Sequence, residues 1–179
     1  MVEGLPPVLA DPDSMLGARL AGFETVSPNQ APWFEQVVAR VERFRPGLLT
    51  LSFYQAAYTG GAHANSSLLY LNVDPATARA LPLDSLLVPG ARDSLLAAAE
   101  RGFRRARGMA ADSSFALGGF WFRSARFELT PNYGLTGEGL VFHYNNYEVA
   151  PYVFGSTHAV VPWPELPGLV RPRYLRAPG

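Results

Sequence analysis

Tyr58-Thr59-Gly60-Gly61-Ala62-His63-Ala64-Asn65 is a polar, glycine-broken stretch held between two apolar runs, residues 48–54 and 68–73. The runs read as paired strands. Leu49, Leu51 and Phe53 point one way with Thr50, Ser52 and Tyr54 the other, and Ser67, Leu69, Leu71 and Val73 oppose Leu68, Tyr70 and Asn72. Adjacent glycines allow positive φ and close approach of a backbone or ligand, and His63 and Asn65 follow with donors and acceptors. A hairpin of this kind commits the chain to antiparallel pairing.

Working outward, residues 1–28 are broken by proline and glycine and alternate little, so they read as an irregular lead-in. Asn29 is an N-cap and Pro32 lies in the first turn of a helix. In it Trp33, Phe34, Val37, Val38, Val41 and Phe44 recur at helical spacing, and Pro46-Gly47 stops it. Beyond the hairpin, Asp74-Pro75 is a turn, and residues 81–87 form a tight connection in which Asp84 caps a single helical turn. A second helix opens near Asp93, buries Leu95, Leu96, Ala99 and Phe103, and ends at Gly108. Arg101, Arg104, Arg105 and Arg107 gather in its last turns, either as a grip for an acidic partner or as a solvated face suited to the helix dipole. Residues 119–129 read as a strand with a bulge near Ser124, residues 140–144 and 158–161 as further strands, and the tail from Arg171 as loose. The expected fold is α+β, an antiparallel sheet with two helices packed on one face. It divides into a lead-in with its helix (1–46), the main domain (47–170) and a tail (171–179).

The 179 residues include no cysteine, which excludes disulfides and thiolate metal sites, and 15 arginines balance 15 acids, which argues against nucleic acid as the main partner. No apolar run is long enough to span a membrane, and residues 1–7 lack the basic start and apolar core of a secretory signal. Glycine-rich nucleotide loops, the Gly-x-Ser-x-Gly elbow and His-Glu-x-x-His are all missing from the sequence. His63, His143 and His158 are far apart in the chain, so nothing local builds a metal site, and neither metal nor cofactor is assigned.

The second cluster of interest is residues 142–155, with Tyr144, Asn146, Tyr147, Glu148 and Tyr152 as candidate binding residues beside Tyr58, Gly60, Gly61, His63 and Asn65. Exposed, such aromatics form a stacking platform for sugars or anchors for a protein; buried, they are core. No catalytic residue is assigned. The alternative is an acid and base pair made of His63 and Glu148. The structural reading of His63 is a clamp onto a backbone carbonyl, and that of Glu148 is a carboxylate bonded to amides.

Two stretches, Tyr58-x-Gly60-Gly61-Ala62-His63 and Tyr147-Glu148-x-x-Pro151-Tyr152-x-x-Gly155, with the closing Pro162-Trp163-x-Glu165-Leu166, resemble the domain of unknown function 3298 family, the C-terminal part of RsiV-type ectodomains. The resemblance runs over roughly residues 48–166, with Ala64 where the family pattern prefers glycine. It implies a periplasmic or extracytoplasmic domain, attached to the membrane only through an N-terminal anchor missing here. It further implies a non-enzymatic binding or sensing role toward cell-wall glycan or an envelope protein such as lysozyme. A small glycan-active enzyme using His63 and Glu148, and a structural interaction domain of a larger envelope lipoprotein, are the alternatives.

Overall fold

The computed structural model describes residues 33–175. Asn29, Pro32 and the irregular lead-in expected over residues 1–28 lie outside them, as do residues 176–179. The described residues divide into two compact units, one of residues 33–35 with 57–65 and the other of residues 36–56 with 66–175.

Among the described residues, seven strands fall into two sheets. A four-stranded sheet has the order β1 (Phe34–Arg45), β2 (Leu48–Tyr58), β3 (Asn65–Asp74), β4 (Arg79–Ala80). A three-stranded antiparallel sheet has β5 (Tyr133–Leu135), β6 (Gly139–Tyr144) and β7 (Thr157–Pro162), with His143 opposite His158. Helix α1 (Leu83–Leu86) is a single turn, α2 (Arg92–Arg107) is the long helix, and α3 (Pro172–Leu175) is a short turn where the sequence suggested a loose tail. The α+β class and the antiparallel pairing stand as expected, with the strands divided between two sheets.

The helix expected before Pro46 is a strand. Its apolar residues fit helical spacing, yet Val37, Val38 and Val41 are β-branched and restricted at χ1, which favours the pleated surface. The dipeptide read as a helix stop, Pro46-Gly47, instead turns β1 back into β2, with Gly47 at φ +76°. Among the described residues one long helix therefore takes the place of the expected two. Asp84 sits in the first turn of α1, and no side chain caps that turn.

Helix α2 lies against β7 and buries Leu95, Ala98, Ala99, Gly102 and Phe103, then stops at Gly108 with φ +61° as its sequence indicated. Phe103 is the centre of the core. Its ring stands 5.1 to 5.8 Å from those of Phe115, Phe120, Phe122, Phe127 and Tyr144. Burying one such ring contributes about 1.5–3 kcal/mol, and favourable edge-to-face pairs add about 0.5–1.5 kcal/mol each. This cluster also explains why residues 119–129 are not a strand. Phe120, Phe122 and Phe127 are all drawn into it, which requires a turn between them, closed by Ala125 N–H on the Phe122 carbonyl with Ala125 at φ +56°.

The arginines of α2 serve structure. Arg101 and Arg105 reach Glu165 at 3.0 and 3.6 Å, and Arg104 pairs with Glu100 at 2.8 Å. Arg107 donates to the carbonyls of Phe154, Gly155 and Ser156, so it pins the turn that precedes β7.

Candidate functional site

The glycine loop closes the connection from β2 to β3 in the smaller unit. Gly60 and Gly61 take φ +90° and +113°, conformations that side chains with a Cβ rarely adopt. The Tyr58 hydroxyl donates to the Gly61 carbonyl at 3.0 Å, and the Tyr58 ring stacks on Phe34 with centroids 6.4 Å apart. His63 is exposed, and its Nδ1 lies 3.1 Å from the Ala64 carbonyl. Asn65 is exposed at the start of β3.

The 145–152 turn belongs to the larger unit and follows directly on β6. Tyr147 holds φ +65°, which throws its ring outward: it is 55% exposed and packs against Tyr152, with centroids 5.6 Å apart. Asn146 is half-buried and Glu148 exposed. Tyr144 is buried, its ring in the Phe103 cluster and its hydroxyl donating to the Glu128 carbonyl at 2.6 Å. It contributes a wall from below rather than a surface ring. Burial drives its hydroxyl well above the usual phenol range.

Trp121, which sequence reasoning placed inside a strand, completes this surface. Its indole N–H donates to the Glu148 carbonyl at 3.2 Å and its backbone N–H to the Val149 carbonyl at 3.0 Å, while the ring stays 50% exposed. Beside it opens a cleft of about 330 Å³ whose walls include Trp121, Arg123, Glu128, Tyr144 and Glu148. Glu128 is oriented by the backbone N–H and hydroxyl of Ser124, at 3.2 and 2.9 Å. The cleft thus offers an aromatic wall, two carboxylates and a guanidinium, a set able to stack on and hydrogen-bond a polar ligand.

Two asparagines, one before β5 and one in this turn, bond to the backbone of β3, and neither role announced itself in the sequence. Asn132 accepts from Tyr70 N–H at 2.8 Å and donates to the Leu68 carbonyl at 2.7 Å, pairing with β3 as a neighbouring strand would. Asn145 accepts from Leu68 N–H at 2.7 Å and donates to the Leu68 carbonyl and to Glu148, both at 3.2 Å. The side-chain oxygen of Asn145, Oδ1, also lies 3.1 Å from His143 Nε2. That oxygen can only accept, so Nε2 carries the proton and Nδ1 keeps a lone pair with no partner among the described residues.

His143 is buried with Tyr70 and His158 against it, the two histidine rings 4.4 Å apart. Burial, then the neighbouring His158, lowers its pKa to about 4, against the opposing effect of the Asn145 bond. A base whose folded pKa lies below its unfolded value costs no stability above pH about 6.5. As pH falls from there through about 4, only the unfolded chain takes up the proton, and stability declines. The expected loss is roughly 3 kcal/mol. Urea unfolding at pH 7.5 and 4.5 checks this: His143→Gln should lose much less over that interval than the parent, and equal losses would refute it.

Among the described residues no group of three His, Asp or Glu side chains is placed to hold a metal ion. No helix among them is long and apolar enough to cross a membrane.

No curated protein matches this chain. A solved structure of a DUF3298 family protein from Pseudomonas aeruginosa PAO1 is 25% identical, with a TM-score of 0.65, over 91% of this chain and 72% of that one. A family member from Bacteroides fragilis NCTC 9343 shares the fold, at 20% identity and a TM-score of 0.64, over 92% of this chain and 64% of its own. Residues 84–164, which carry α2, the three-stranded sheet and the Tyr147-Glu148 turn, match the family described as protein of unknown function DUF3298. Over residues 84–164 the chain therefore matches the DUF3298 family, and its fold is similar to that of the family's solved members.

Proposed function

We propose that the protein is a non-enzymatic binding or sensing module of the bacterial cell envelope, which takes cell-wall glycan on the surface formed by Trp121, Tyr147 and Tyr152. The observation that carries this reading is Trp121, whose ring is half exposed yet held by its indole N–H on the Glu148 carbonyl, while its backbone N–H donates to the Val149 carbonyl of the turn that displays Tyr147. A rigid exposed aromatic is a stacking surface whose ordering cost is already met, and the Glu128 and Glu148 carboxylates beside it accept from sugar hydroxyls. The extracytoplasmic setting and the kinship to RsiV-type ectodomains rest on the sequence resemblance.

The test is sedimentation with purified peptidoglycan, following protein in the pellet and soluble fragments in the supernatant. Trp121→Ala should weaken pelleting about tenfold, the scale of a lost aromatic anchor. Tyr147→Asn should do the same while suiting the left-handed backbone at that position, which asparagine tolerates. No fragments are expected. Time-dependent release abolished by His63→Ala or Glu148→Gln would replace this reading with a glycan-active enzyme. Absence of pelleting together with a stable complex with lysozyme would replace glycan with a protein.

A further inference from the structure

A second cleft, of about 420 Å³, opens on the polar face of the four-stranded sheet, away from the Trp121 surface in its lining. Its chemistry is dipolar. Arg40 and Glu42 stand two residues apart on β1, so strand alternation puts both on this face with Cα atoms roughly 7 Å apart. They do not pair. Arg40 has no carboxylate partner among the described residues, and Glu42 uses one oxygen, Oε1, to accept from the Ser52 hydroxyl at 2.6 Å. Tyr54 and Tyr70 supply two phenols that make no hydrogen bond to a described residue, and His158 closes the side formed by β7.

We infer that this cleft binds a short zwitterionic peptide, its carboxylate on Arg40 and its ammonium between Glu42 and His158. The guanidinium offers a planar fork of donors that matches a carboxylate, and the unused oxygen of Glu42 accepts from an ammonium. The spacing selects length: two extended residues span roughly 7 Å, whereas a single amino acid is too short to meet both charges. Burial, then the Glu42 and Glu138 carboxylates, push the Tyr70 hydroxyl up to about 12, so it remains a donor; burial lowers the pKa of His158, against the opposing effect of the same two carboxylates. The field at that end is therefore negative, as an ammonium requires.

The inference is tested by calorimetric titration of the whole chain with alanylalanine, N-acetyl-alanylalanine and alanylalanine amide. The free dipeptide should bind at millimolar concentration or better, and blocking either end should weaken it at least tenfold. Arg40→Met should abolish the preference for a free carboxylate while keeping that for a free amine, and Glu42→Gln the reverse. The amide introduced by Glu42→Gln retains an acceptor for the Ser52 hydroxyl, and Arg40 is exposed, so both variants should fold, as far-ultraviolet dichroism will show. No binding of the free dipeptide at 10 mM, equal binding of the blocked forms, or displacement by N-acetylglucosamine instead would each overturn the proposal.

Discussion

Gly102→Ala should destabilise the protein by about 2–3 kcal/mol or more, although the same change in a free helix would stabilise it by about 1 kcal/mol. Helix α2 crosses β7 at this residue so closely that an added Cβ would lie 2.4 Å from the Val160 carbonyl oxygen and 3.0 Å from its carbonyl carbon and its nitrogen. These are backbone atoms of a paired strand, and no rotamer change relieves the overlap. The helix would have to lift away from β7, loosening the contacts of Phe103 one residue later in the same helix. The urea midpoint of Gly102→Ala measures this directly. A variant as stable as the parent would mean that α2 does not pack on β7 at this distance.

Asn132→Ala should cost about 2–4 kcal/mol, an effect out of proportion to the size of the side chain. Its amide is the partner of two backbone groups of β3, and removal leaves the Tyr70 N–H unpaired in a part-buried position. Such an orphan costs about 1–3 kcal/mol in addition to the bonds lost. The Leu68 carbonyl keeps its second donor, Asn145, after this change. Asn145→Ala should therefore cost a similar amount alone, while the double variant should lose more than the sum of the two, since only then is that carbonyl stripped of both amides. Chemical denaturation of the three variants decides it, and simple additivity would remove the shared clamp from the account.

Part of this surface was legible in the chain. Tyr147 and Glu148 stand in a turn that interrupts an apolar strand, and such interruptions advertise display. Trp121 was not legible, because its neighbours Phe120 and Phe122 give the alternation of a strand, while its role depends on carbonyls 27 and 28 residues away. Asn132 and Asn145 were hidden for a related reason. An asparagine next to a strand signals a turn, and nothing local says that its amide will serve the backbone of β3, which is 62 to 77 residues distant.

By itself, the sequence determined the elements whose signals are local: the β2–β3 hairpin with its left-handed glycines, α2 with its apolar stripe and Gly108 stop, and the pair β6 and β7. The tertiary structure alone decided what depended on partners. Residues 34–45 satisfy both a helical and a strand pattern, and pairing with β2 settles them as a strand. The faces of that sheet show the same dependence. Alternation separates Leu49, Leu51 and Phe53 from Thr50 and Ser52 without saying which set goes inside, and the usual preference would bury the apolar one. Here Thr50, Ser52 and Asn72 are buried while Leu69 and Leu71 stay exposed, because each buried polar group is bonded: Thr50 donates to the Asn72 side chain, Ser52 to Glu42, and the Asn72 amide to the Tyr133 carbonyl. A buried hydroxyl or amide that is fully bonded loses little on leaving water, and the Tyr133 carbonyl becomes a partner only once the two sheets have come together.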